Sequence, residues 1–162
     1  MSTTDLSAYK PLDISNADDM IIGIVVSEWN NFVTHNLRDG AIDTLKKEGV
    51  KEENIHVFSV PGAFELSYAS MQLAKTNRYD AVIVIGCVIR GETPHFDYVC
   101  SGVTQGVKDV NLLTDTPAIF CLLTDDNKEQ SIARSGGALG NKGVEAAVTA
   151  LHMSEFKKKI KA

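Results

Sequence analysis

One histidine lies where a buried strand is expected to lead into a helix. Residues 81–85 form an unbroken apolar run rich in β-branched side chains, which is typical of a strand covered on both faces of a parallel sheet. After a turn, we expect Thr93 to cap the next helix through its hydroxyl and Pro94 to take its first position. His95 then lies in the first turn, where the positive end of the helix favours a neutral imidazole that can accept a proton. The same pattern also fits an ordinary surface histidine.

Three further side chains carry groups that bind ligands in other proteins, and each also has a simpler interpretation. Trp29 lies in a polar turn and is either a plug of the core, which its position slightly favours, or a flat surface on which a planar ring stacks. Glu65 either complements the dipole of its helix or accepts hydrogen bonds from a heterocycle. Arg134 is either a phosphate-binding fork or, more commonly, a solvated cation.

Several familiar sites are excluded by residue spacing. The dinucleotide fingerprint G-x-G-x-x-G is absent after the first strand, and GGALGNKG is no P-loop, because Lys142 is followed by Gly143 rather than Ser or Thr. Asp18 and Asp19 precede the first strand, whereas a response regulator carries its phosphoacceptor carboxylates after strands. The four histidines are scattered and form no zinc motif. We therefore predict no metal site.

Strands and helices alternate along the chain. Strands are expected at residues 21–26, 55–60, 80–89 and 118–123. Helices are expected at residues 31–48 (with Asn30 or Asn31 as cap), 63–75, 94–113, 126–135 and 144–159, with a glycine-rich loop at 135–143. This alternation predicts an α/β fold, a three-layer sandwich with a four-stranded parallel sheet that is doubly wound in the flavodoxin-like manner. Residues 1–20 show no sustained period and predict an extended arm before a single domain at 21–162.

The segments that follow parallel strands meet at one rim of such a sheet, where ligands bind. Here those segments are SEWNN, PGAFE, the loop before His95, and LTDDN. We therefore expect the candidate side chains to lie together at that rim.

The composition narrows the possible partners. The chain has a net charge of −5 and its only dense basic run is its tail, so nucleic-acid binding is not expected. No apolar run approaches the roughly 20 residues that a membrane span needs. Three cysteines without a C-x-x-C pair are typical of core residues in a reducing compartment, which predicts a cytoplasmic protein.

Four segments together resemble one family. They are WNN, VPGAFEL, GCVIRGETPHFDYVCSGVTQG and ARSGGALGNKGVEAAVTALHM, and between residues 21 and 153 they are similar in order and spacing to lumazine synthases. The resemblance implies condensation of 5-amino-6-(ribitylamino)uracil with 3,4-dihydroxy-2-butanone 4-phosphate to 6,7-dimethyl-8-ribityllumazine, the penultimate step of riboflavin biosynthesis. It implies no metal and no redox cofactor.

The resemblance also implies roles for individual residues. His95 would be the proton-transfer residue and Lys142 an electrostatic support. The residues expected around the uracil and its ribityl chain are Trp29, Asn30, Ala63, Phe64, Glu65, Cys87, Val88, Ile89 and Phe120. The residues expected around the phosphate are Gly91, Glu92, Thr93 and Arg134.

Phe120 falls near the start or middle of its strand, whereas the other residues fall at strand ends. The resemblance resolves this difference, because it implies a ring pentamer in which the neighbouring subunit supplies Phe120 and Arg134. The N-terminal arm would then pair with the neighbour's sheet. The compact GGALGNKG turn is similar to that of members that form 60-subunit shells, and association with riboflavin synthase is a further implied partnership.

Two residues depart from the family pattern. Trp29 stands where phenylalanine is common, and its larger indole is expected to hold riboflavin-like rings more tightly. Glu92 brings a carboxylate into the phosphate turn, which repels the ligand unless the side chain points away and only the backbone N–H is used. Two other interpretations stay open: a related protein that has lost catalysis, and a flavodoxin-type electron carrier, which lacks its expected hydroxyl-rich loop after the first strand.

Overall fold

A sheet of four parallel strands forms the middle layer of the fold. The computed structural model describes residues 5–10 and 12–161. The strands are β1 (Ile22–Ser27), β2 (Ile55–Val60), β3 (Ala81–Ile89) and β4 (Ala118–Asp125), in the order β2-β1-β3-β4. β1 is buried along its whole length, and β3 is buried from residue 81 to 87, as continuous apolar runs predict for inner strands.

Helices cover both faces of this sheet. They are α1 (Asn31–Lys47), α2 (Leu66–Lys75), α3 (His95–Leu113), α4 (Lys128–Arg134) and α5 (Lys142–Lys161). Leu37 and Leu45 of α1 pack with Leu151 of α5 on one face. On the other face, Leu66 of α2 packs with Val107 of α3. The predicted three-layer α/β fold is confirmed.

Several predicted boundaries are wrong for local reasons. α3 begins at His95 with Pro94 as its N-cap, and the predicted capping bond from the Thr93 hydroxyl is absent. Asn30 does occupy the cap position of α1, but its side chain makes no capping bond. The turn from residue 61 to 65 delays the start of α2 to Leu66.

The segment predicted as a glycine-rich loop forms a small hairpin. Its strands are β5 (Ser135–Gly137) and β6 (Gly140–Asn141), which pair antiparallel. Gly136 and Gly140 have φ values of 111° and 81°, which favour glycine. α5 starts at Lys142 rather than at residue 144, because the Asn141 side-chain oxygen accepts a hydrogen bond from the Gly143 N–H, 2.8 Å away.

The N-terminal segment lies along its own chain. The Leu6 N–H donates to the Leu139 carbonyl at 2.8 Å, and the Asn141 N–H donates to the Ser7 hydroxyl at 2.8 Å. A short 3₁₀ helix (Ala17–Asp19) follows. Residues 1–4 and 11 of the predicted arm lie outside the described residues. Among the helices of the described residues, none has both the length and the apolar character to cross a bilayer.

Candidate functional site

A cavity of about 550 Å³ opens at the rim where β1, β2 and β3 end, beside the start of α3. We call it the rim cavity. Two of its lining residues, Tyr98 and Val99, were not predicted. The other nine were all predicted, and they are Trp29, Asn30, Ala63, Phe64, Glu65, Cys87, Val88, Ile89 and His95. The parallel sheet thus brings together side chains from three distant parts of the sequence.

Three exposed aromatic side chains line this cavity, namely Trp29, Phe64 and Tyr98. Trp29 is 68% exposed, so its interpretation as a core plug is wrong for this chain. Its indole lies against the turn after β2, where a Cβ added to Gly62 would come 2.5 Å from indole carbon Cε3. Phe64 is 60% exposed. Exposed rings in a mostly apolar cavity suit a planar ligand that stacks on them.

Asn30 ties two strand ends together. Its backbone is left-handed (φ 60°, ψ 39°), a conformation that asparagine tolerates better than most residues. Its side-chain amide Nδ2 donates to the Cys87 carbonyl at 3.0 Å. This bond fixes the end of β1 against the end of β3 at the base of the cavity.

The two oxygens of the Glu65 carboxylate lie in different environments. Oε2 accepts a hydrogen bond from the Gly62 N–H at 3.0 Å, which stabilises the turn after β2. Within residues 5–10 and 12–161, Oε1 has no hydrogen-bond partner. One oxygen therefore holds the turn and the other faces a cavity that can accept a donor from a ligand.

His95 is the first residue of α3 and its exposed imidazole lines the rim cavity. The turn before it, Gly91 to Thr93, is also exposed and borders the cavity rather than lining it. A Cβ added to Gly91 would meet nothing within 4 Å, so this turn is open to a ligand. The His95 ring thus stands between the aromatic cavity and an open turn at a helix start.

Arg90, which the sequence analysis missed, anchors that turn. Its guanidinium donates to Asp126 Oδ1 at 3.0 Å and to Asp97 Oδ2 at 3.3 Å, and lies 4.1 Å from the centre of the Phe96 ring. The carboxylates of Asp97 and Asp126 raise the pKa of Arg90. The signal for Arg90 in the sequence was an arginine directly before a glycine turn, with acidic residues seven and 36 positions later.

Cys87 is a wall of the cavity rather than a nucleophile. Burial raises the pKa of its thiol to about 11, so the thiol is neutral near pH 7. Its Sγ donates to the Ser131 hydroxyl at 3.5 Å. Cys121 is fully buried in the core, and Cys100 is partly buried.

Three predicted site residues lie away from the rim cavity of their own chain. Phe120 and Lys142 line a separate cavity of about 360 Å³ along the free edge of β4. Arg134 lies at the end of α4, and its guanidinium is near Asp125. Lys142 forms an ion pair of 2.6 Å with Glu145. One chain therefore places the aromatic residues and His95 at the rim cavity, and it places the predicted cations, Arg134 and Lys142, elsewhere.

In the part of the chain that the structure describes, no three His, Cys, Asp or Glu side chains group in a way that could hold a metal ion.

Comparison with known proteins shows one family. A family model described as 6,7-dimethyl-8-ribityllumazine synthase matches residues 19–158. A protein of that name from Parabacteroides distasonis is 57% identical over 152 residues, which cover 94% of this chain and 95% of the relative. Relatives of the same name from Phocaeicola vulgatus (53% identical; 96% and 93% covered) and Flavobacterium johnsoniae (55% identical; 93% and 79% covered) agree. The chain belongs to the 6,7-dimethyl-8-ribityllumazine synthase family.

Proposed function

We propose that the chain condenses 5-amino-6-(ribitylamino)uracil with 3,4-dihydroxy-2-butanone 4-phosphate to 6,7-dimethyl-8-ribityllumazine. The observation that carries this proposal is the rim cavity, in which Trp29, Glu65 and His95 lie together. A stacking ring, a carboxylate acceptor and a proton carrier are the groups that a uracil amine substrate requires. Family membership, with relatives named for this product, supports the same reaction.

The reaction proceeds through an imine. The uracil's 5-amino nitrogen attacks the ketone carbonyl, and loss of water gives the imine. Loss of a proton and elimination of phosphate follow, and the ribitylamino nitrogen closes the second ring with loss of a second water. His95 moves the protons at these steps, for which positioned general acid–base groups contribute about 10²- to 10⁴-fold. Holding two substrates in one orientation supplies much of the remaining rate.

The uracil half of the site belongs to the rim cavity. Trp29 stacks on the heterocycle, and Asn30, Ala63, Phe64 and Glu65 contact the ribityl chain and neighbouring polar groups. Cys87, Val88 and Ile89 form the wall. Support for these roles comes from the exposed indole and from the apolar lining of the cavity.

The phosphate half uses the turn before α3. Backbone N–H groups of Gly91, Glu92 and Thr93 bind the phosphate at the positive end of the helix. All three residues are exposed, which leaves the Glu92 carboxylate room to point away from the anion. Within the described part of the chain no arginine or lysine lines the rim cavity, and Arg90 beside the turn is paired with Asp97 and Asp126, so the charge that balances the phosphate comes from elsewhere.

The neighbouring subunit supplies that charge in our proposal. Arg134, Lys142 and Phe120 of one chain complete the rim cavity of the next, in a homopentamer with five shared sites. Both outer strands, β2 and β4, have a free edge in the single chain, and Phe120 is 40% exposed on β4. Free edges and exposed aromatic residues are typical of surfaces that a partner covers.

Finer properties of the assembly are also proposals. In this proposal the N-terminal arm at residues 1–20, which bonds to its own chain at Leu6 and Ser7, also pairs with the neighbour's sheet, and residues 21–162 form one domain. Pentamers build a 60-subunit shell that associates with riboflavin synthase in the cytoplasm. The short β5–β6 hairpin and the free β2 edge support the assembly. Light scattering measures the mass of the assembly directly, and the mass of a monomer would refute the proposed assembly.

The reaction is tested by mixing the purified protein with both substrates. We expect product absorbance to rise together with released inorganic phosphate in a ratio of about one to one, since each turnover eliminates one phosphate. A protein that binds the uracil but forms no product would instead be a related protein without catalysis.

A further inference from the structure

A buried polar cluster lies directly behind Arg134. Asp125, the last residue of β4, is only 6% exposed although its side chain is a carboxylate. Its Oδ2 accepts a hydrogen bond from the Ser131 hydroxyl at 2.8 Å, and its Oδ1 lies 3.9 Å from Arg134 Nε. Ser131 in turn accepts from the Cys87 thiol at 3.5 Å. We call Asp125 and Ser131 the arginine support.

A buried carboxylate needs a reason to be there. Removing a charge from water is costly unless hydrogen bonds and an opposite charge compensate for it. The Ser131 hydroxyl satisfies one oxygen of Asp125, and Arg134 is the one cation in ion-pair distance of the other oxygen among the described residues. An apolar residue at 125 would pack there without this cost, so stability alone does not account for the aspartate.

The arrangement restricts the guanidinium on one side only. Nε faces Asp125, and Nη1 donates to the Gln130 carbonyl at 3.0 Å. A guanidinium has five N–H donors. Within the described residues one donor of Nη1 makes a hydrogen bond and Nε is in ion-pair distance of Asp125, so three Nη donors remain without a partner. The side chain is 34% exposed, and these donors therefore reach the surface. This geometry resembles a fork that is held from behind and open to a phosphate in front.

We propose that Asp125 and Ser131 are positioning residues that hold Arg134 in the orientation in which it binds the phosphate of the substrate. The inference rests on the proposed function, in which Arg134 binds that phosphate. A long arginine side chain loses rotamer freedom when it binds a ligand, and a support that restricts it beforehand reduces this loss.

Asp125→Asn tests the support, because asparagine keeps the shape and removes the charge. We expect KM for the butanone phosphate and the inhibition constant of inorganic phosphate to rise roughly tenfold, which is the scale of the rotamer freedom of one arginine. KM for the uracil substrate stays unchanged. Ser131→Ala raises the same two constants by a smaller factor. Electrostatics alone predicts the opposite sign, since losing a nearby negative charge favours an anion, so unchanged or tighter phosphate binding would overturn the proposal.

A double-mutant cycle separates positioning from a general structural effect. In the Arg134→Ala background, Asp125→Asn is expected to leave phosphate affinity unchanged, because the residue through which it acts is gone. An additional loss there would overturn the positioning role. If Arg134→Ala alone leaves phosphate affinity intact, the proposed role of Arg134 itself is wrong. That result differs from one in which Arg134 binds the phosphate but the arginine support has no effect.

A matched control comes from a second aspartate–arginine pair. Asp39 lies 2.8 Å from Arg38 on α1, and neither residue lines the rim cavity or the cavity beside β4. Asp39→Asn is expected to leave both KM values unchanged. A tenfold rise in this control would show that loss of any such pair has the effect and would overturn the specific role of Asp125.

Discussion

The indole of Trp29 lies against Gly62, close enough that a side chain at residue 62 would displace it. A Cβ there would come 2.5 Å from Cε3 of the indole and 3.0 Å from Glu65 Oε2. Contacts of this kind force one partner to move. The absence of a side chain at residue 62 is therefore what allows the Trp29 indole and the Glu65 carboxylate to lie against the same turn.

Gly62→Ala is expected to weaken binding of the uracil substrate selectively. Displacing the indole removes about 1 kcal/mol of stacking, so KM for the uracil should rise roughly fivefold. KM for the butanone phosphate should change little. Steady-state kinetics with each substrate varied in turn measures both constants. In a Trp29→Ala background the same substitution should add no further effect, and a full additional loss there would contradict the relationship.

His95→Ala is expected to slow turnover without loss of binding. In the proposed mechanism the imidazole at the start of α3 carries protons, so kcat should fall by about 10²- to 10⁴-fold while both KM values stay within a few-fold. Rapid mixing with detection of product measures the rate. His152→Ala, in an exposed position on α5, is the control and should leave kcat unchanged. A large rise in KM with unchanged kcat would assign His95 to binding instead.

Riboflavin should bind in the rim cavity, where stacking on the Trp29 indole should quench the riboflavin fluorescence. Trp29 offers a larger stacking surface than phenylalanine, and Trp29→Phe should weaken binding by a few-fold, as expected for a loss of about 0.5–1 kcal/mol. Titration of riboflavin with the protein measures the dissociation constant. If the unsubstituted protein leaves micromolar riboflavin unquenched, the indole has no such role.

Stability is expected to fall as the pH rises from about 9 to 11. Burial raises the pKa of Cys87 to about 11 and that of Cys121 to about 12, from an ordinary value of 9.0. In this range the unfolded chain loses thiol protons that the folded chain keeps, so ionisation favours unfolding. Urea unfolding between pH 8 and 10.5 measures the slope. Replacing Cys87 and Cys121 with alanine should make this slope less steep, although the cavities left behind lower the stability at pH 8. An unchanged slope would contradict the assignment.

The positions of the strands, and the strand ends that supply residues to the site, follow from local sequence patterns. β2 begins and ends where its run of β-branched and aromatic residues does, and the long apolar run of β3 predicts an inner strand. Parallel alternation then places Trp29, Glu65 and His95 at one rim, although they are separated by up to 66 positions. Periodicity and topology carry this information.

The features that were missed depend on contacts between distant segments. The Asn30 side chain donates to the Cys87 carbonyl instead of capping its own helix, and the residues near Asn30 in the sequence do not indicate this. The support of Arg134 by Asp125 joins the end of β4 to the end of α4, and although the helix and Arg134 were both predicted, their contact with Asp125 was not. Exposure of Trp29 likewise depends on what packs around it.

The sharing of one site by two subunits can be tested with mixed assemblies. His95→Ala and Arg134→Ala subunits, co-expressed with different tags and purified through both, are each expected to be nearly inactive alone. If His95 of one subunit works with Arg134 of its neighbour, about a quarter of the sites in a one-to-one random ring contain both intact residues. We predict that the mixed assembly recovers about a quarter of the normal turnover per site. Activity no higher than the mean of the two single-variant proteins would contradict the shared site.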